Sequence, residues 1–110
     1  MRAAAFLVAA GLALSALGAV GTALSANTVD VSQKGKEFNP DEITVDRGAK
    51  VRFVNDDTVA HNVYSEGGAV EFNLGTQAPG DAKEVSFDKV GSFQILCAIH
   101  PKMSLTVNVK

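Results

Sequence analysis

The chain has 110 residues, 46% of them hydrophobic, with 10 Lys and Arg against 12 Asp and Glu and a single cysteine. No basic cluster exists to neutralise phosphates, which excludes nucleic acid and an anionic lipid surface as partners. One cysteine leaves no intramolecular disulfide to staple a small domain, which buries only about 60–65% of the surface its unfolded chain exposes, so a bound metal becomes the next candidate.

Met1-Arg2 gives a short positive start, and no charge follows between Ala3 and Val29. Ala3 to Val20 is a run of small apolar residues, closed by Gly21-Thr22-Ala23 and Leu24-Ser25-Ala26. This pattern predicts a signal peptide over residues 1–26, cut after Ala26, with Ala23 and Ser25 as alternative positions. Export to a bacterial periplasm follows, an oxidising place where a lone thiol calls for an explanation. The alternative is an uncleaved anchor over residues 3–26, since the charge-free run is long enough to span a membrane. Residues 27–110 make one domain.

In that domain apolar and polar residues alternate, and nothing supports a long helix. Thr28–Ser32 is a first strand and Glu42–Asp46 a second, stopped by Arg47-Gly48. Lys50–Asn55 follows at once and is expected to pair with the second strand as a hairpin. Ala60–Ser65 continues in extended form. Gly67-Gly68 and Ala78-Pro79-Gly80-Asp81 are loop or turn signals. Lys83–Phe87 is a strand with Val85 and Phe87 inward. Gly91 opens the strand Ser92–Cys97, and Ser104–Lys110 closes the chain. Seven to eight short strands with turns between them predict an all-β, Greek-key β-sandwich.

Side-chain parity points to a site. Phe93, Ile95 and Cys97 share one face, as do Met103, Leu105, Val107 and Val109, and His61 shares the face of Val63. His61, Cys97, His100 and Met103 are therefore candidate metal ligands: both histidines, the only cysteine and the only methionine beyond the leader. One thiolate, two imidazoles and a thioether form a soft, mixed set suited to one copper ion in both its Cu(I) and Cu(II) states. Two His and one Cys in a plane with a long axial Met is an electron-transfer arrangement. Structural zinc takes four strong ligands and a thioether is a poor one. Covalent haem needs Cys-x-x-Cys-His, which is absent, and a Cys–His protease needs a much larger fold. Asp56-Asp57 reads as a polar loop. His100, between Ile99 and Pro101 in the loop after Cys97, is expected to be the exposed electron port, with Ile99 and Pro101 as its apolar docking surface.

Phe38-Asn-Pro40, Ile43-Thr-Val45, Gly48, Val51-Arg-Phe53, His61-Asn62-Val63, Pro79-Gly80 and the motif Cys97-Ala-Ile-His100-Pro-Lys-Met103 follow one another in a familiar order. Residues 28–110 thereby resemble the type 1 blue copper proteins (cupredoxins), in the plastocyanin–amicyanin–pseudoazurin branch. The resemblance implies a β-sandwich, one-electron transfer and ligand roles for His61, Cys97, His100 and Met103. It also implies that Asn62 braces the ligand loops and turns an amide toward the cysteine sulfur. The two residues between His100 and Met103 match amicyanin, whereas amicyanin's long N-terminal strand is missing and Leu96 stands where an aromatic often precedes the cysteine. The chain is thus expected to be a monomeric carrier and not an enzyme. It would exchange electrons with redox proteins such as a cytochrome c or a periplasmic oxidoreductase. A copper-binding or delivery protein without electron transfer is the alternative.

Overall fold

The computed structural model describes residues 27–66 and 70–110. The expected signal peptide or anchor at residues 1–26 and the expected turn at Gly67-Gly68 lie outside the described residues. The described chain is all-β, with nine strands: β1 (Thr28–Lys34), β2 (Glu37–Asn39), β3 (Glu42–Val45), β4 (Ala49–Asn55), β5 (Val63–Ser65), β6 (Phe72–Asn73), β7 (Ala82–Phe87), β8 (Gly91–Cys97) and β9 (Ser104–Val109). They form a five-stranded sheet in the order β3-β9-β8-β5-β6 and a four-stranded sheet in the order β2-β1-β4-β7. The predicted sandwich is present. The short strands β2 and β6, too brief for an alternating pattern to register, add to those expected from the sequence.

Alternation builds the core. In β9, Leu105, Val107 and Val109 are buried, and in β8 Ile95 and Cys97 are. From the other sheet Val31, Val51, Phe53 and Phe87 face them. Each such aliphatic or aromatic side chain stabilises the fold by roughly 1.5–3 kcal/mol relative to its exposed state. A train of aromatic rings crosses between the sheets. Phe72 packs 6.3 Å from Phe53 and 6.2 Å from Phe87, and Phe87 lies 6.3 Å from Phe93. The Phe72–Phe87 pair is edge-to-face and the other two are tilted, all at separations where aromatic rings attract.

The expected hairpin of the second and third sequence strands does not form. β3 joins the five-stranded sheet, parallel to β9, whereas β4 lies in the other sheet between β1 and β7. The connection is a corner between sheets. Arg47 N donates to Lys110 O (2.9 Å) at the end of one sheet, and Gly48 N donates to Phe87 O (2.7 Å) at the end of the other. Gly48 has φ 92°, which a side chain rarely tolerates. Two adjacent amides thus bind opposite sheets, and the chain crosses the core instead of folding back. The extended stretch from Ala60 is also shorter as a strand, beginning at Val63, with His61 held by an isolated bridge to Gln77.

Candidate metal centre

Two neighbouring strands and one loop assemble the site. β5 pairs antiparallel with β8 in a register that sets Val63 opposite Cys97. His61, two residues before Val63, therefore arrives on the Cys97 side. Its backbone is fixed by reciprocal bonds with Gln77 (His61 N to Gln77 O, 3.1 Å; Gln77 N to His61 O, 2.7 Å). After Cys97 the chain must turn into β9, and Met103 N donates to His100 O (2.9 Å) to close that turn. The turn brings His100 back over Cys97.

Three donor atoms meet. Cys97 Sγ lies 3.8 Å from His61 Nδ1 and 3.9 Å from His100 Nδ1, and the two Nδ1 atoms are 3.1 Å apart. The circumradius of a triangle with those sides is about 2.1 Å, so one point is a metal–ligand bond length from all three atoms. No Asp or Glu joins this cluster among the described residues. The donors are imidazole and thiolate, the set that suits copper. His61 and Cys97 are buried, His100 is half-buried, and Met103 is buried at the end of the same loop. The structure thus brings His61, Cys97 and His100 to one point, with Met103 anchored to His100 through the backbone.

Asn62 contacts the site through both its backbone and its side chain. Its backbone N–H points at Cys97 Sγ (3.4 Å), and its side chain donates to Asn73 Oδ1 (2.8 Å), tying the His61 segment to β6. Its carbonyl accepts from Ala98 N (2.9 Å), which ties it to the ligand loop as well. His100, Ile99 and Pro101 line a shallow concavity of about 260 Å³ with Lys36 and Lys102. Ile99 is 48% exposed there.

Asp57 is not the plain loop residue its sequence position suggests. Its Oδ2 lies 3.0 Å from His61 Nε2, on the side of the ring away from the donor cluster. The Lys36 amide first and the His61 ring second hold its carboxyl down at about 2, with the Thr58 amide adding to them against the cost of burial. Behind His61 is a buried amide network that periodicity does not reveal. Asn55 Nδ2 donates to Val59 O (3.0 Å) and Gln77 O (2.9 Å), and its Oδ1 accepts from Asp57 N (2.9 Å). Gln77 Nε2 donates to Phe53 O (3.1 Å). A polar residue on the inward face of β4, as Asn55 is, was the one available signal.

A family model described as a cupredoxin-like domain matches residues 3–107. No curated protein matches the sequence. Among solved structures, amicyanin from Paracoccus versutus is similar at 28% identity and a TM-score of 0.70, over 77% of this chain and 83% of that one. A purple cupredoxin from Nitrosopumilus maritimus shares the fold at 23% identity and a TM-score of 0.67, over 74% of this chain and 99% of that one. A copper-containing nitrite reductase from Thermus scotoductus SA-01 is similar at 26% identity and a TM-score of 0.70, but this chain spans only 22% of its length.

Proposed function

The chain belongs to the cupredoxin-like family, and on that premise we propose that it is an exported one-electron carrier. In this proposal His61, Cys97 and His100 hold the single copper ion and Met103 is a weaker fourth donor. Bound copper supplies the one-electron exchange between Cu(II) and Cu(I). The protein's residues do the rest. His61 and Cys97, pinned by β5, β8 and the Gln77 bridge, fix two donors so that little rearranges on electron transfer. Asn62 N–H, 3.4 Å from Cys97 Sγ, steadies the thiolate. Half-buried His100 is the port, and Ile99 and Pro101 beside it are the apolar face on which a redox protein docks. The observation that carries the proposal is the convergence of two Nδ1 atoms and one Sγ within 3.9 Å of one another.

Visible and EPR spectroscopy of the copper-loaded protein tests it. An intense thiolate-to-Cu(II) band is the expected result. A pale protein that binds copper supports the delivery role instead. The reaction of the nitrite reductase is not carried over, because the likeness covers one small part of that enzyme. We further propose a periplasmic location, with the segment before Asn27 removed or retained as an anchor. N-terminal sequencing of the protein from a cell's periplasmic fraction decides between the two. The partner is a redox protein such as a cytochrome c or a periplasmic oxidoreductase, and the carrier works as a monomer.

A further inference from the structure

We propose that Asp57 is a positioning residue of the metal centre, fixing the tautomer of His61 and biasing the site toward Cu(II). This rests on the copper proposal above. The His61 ring is fully buried, and its Nε2 faces Asp57 Oδ2 at 3.0 Å. An ionised carboxylate only accepts hydrogen bonds, so the proton of a neutral ring sits on Nε2. That leaves Nδ1 bare, with its lone pair directed at the point shared with Cys97 Sγ and His100 Nδ1.

Asp57 is itself held independently of the histidine. Lys36 N donates to its Oδ2 (2.9 Å), Thr58 N donates to its Oδ1 (3.0 Å), and its own N–H is taken by buried Asn55 (2.9 Å). The carboxylate therefore imposes its orientation on the ring, and not the reverse. Metal-bound histidines gain basicity and a fixed orientation from such an acceptor. A negative charge one imidazole away from the metal also favours the more positive ion, Cu(II), over Cu(I).

The test uses the full chain with Asp57→Asn and Asp57→Ala. Long-range ¹H–¹⁵N correlation on the metal-free protein reads which nitrogen of His61 carries the proton. The wild type is expected to show Nε2–H alone. Asp57→Asn keeps it, because the amide oxygen still accepts, and Asp57→Ala gives a mixture. In the loaded protein, Asp57→Asn should lower Cu(II) affinity relative to Cu(I) by roughly 10- to 100-fold, with the reduction potential rising accordingly. A residue that only shapes the loop would be rescued fully by Asp57→Asn, potential included, and that result overturns the proposal. A proton on Nδ1 in the wild type overturns it too. If Asp57→Ala does not fold, Asp57→Asn decides alone. A wild type without the intense band but with the expected Nε2–H signature rejects the copper carrier and leaves the positioning role standing.

Discussion

In the proposed copper site Cys97 would carry the optical signature and His61 and His100 much of the affinity, so their substitutions should separate. Cys97→Ser should still fold and hold copper weakly through the imidazoles, but without the intense visible band; absorption spectroscopy of the loaded variant checks this. Met103→Gln should keep the copper and lower the reduction potential, since an amide oxygen favours Cu(II) where a thioether favours Cu(I). Unchanged voltammetry would make Met103 a core residue only. Asp57 gives the pH dependence. Its folded value of about 2 lies below the usual carboxylate value, so its bonds stabilise the fold fully above about pH 4 and are lost as pH falls toward 2. Urea midpoints between pH 5 and 2 should fall less steeply in Asp57→Asn than in the wild type. The cluster of His61, Cys97 and His100 was legible in the sequence because their donor chemistry is rare and one turn joins Cys97 to His100. Asp57 was not, because nothing local says which way a carboxylate in an irregular loop points.

At the scale of elements, Asn55 and Gly48 mark the two ends of β4. Asn55 stands among the core residues at the end nearer the site and satisfies the Val59 carbonyl and the Asp57 amide of the loop that carries Asp57, and the Gln77 carbonyl from the segment bridged to His61. Asn55→Leu should destabilise the fold by about 1–3 kcal/mol for each group left unsatisfied, measured by denaturant unfolding, and broaden the copper spectrum by loosening His61. Gly48→Ala should also destabilise, by about 1–3 kcal/mol for a side chain forced to positive φ, yet leave the spectrum unchanged. Strand positions were readable from alternation because a half-buried strand must place every second residue inward. The partner of a strand was not. An inward face fits either sheet of a sandwich, and the brief link through Arg47-Gly48 resembles a hairpin until its amides are seen to bond to both Lys110 and Phe87. β6, with two residues, offers no period at all.

At the scale of the molecule, a metal held by His61 and Cys97 links positions 36 residues apart. Copper that binds only the folded state should raise its stability by about 4 kcal/mol at a thousandfold excess over Kd. Stripping the metal should therefore lower the thermal midpoint by well over about 10 °C in a domain this small, as read by calorimetry. The register places the two ends of the described fold together. Asn27 O accepts from Lys50 N (3.0 Å) and Lys110 N donates to Val45 O (2.9 Å), both at the corner end of the sandwich. Cys97 lies at the opposite end of β8, about 20 Å away along a seven-residue strand. Asn27 thus stands at the pole opposite the ligand loop, and on the proposed reading that pole would take no part in electron exchange. If the proposed carrier is held at that pole, its Ile99 and Pro101 face points away from the point of attachment, and tethering would change whether the search for a partner runs over a plane or through a volume.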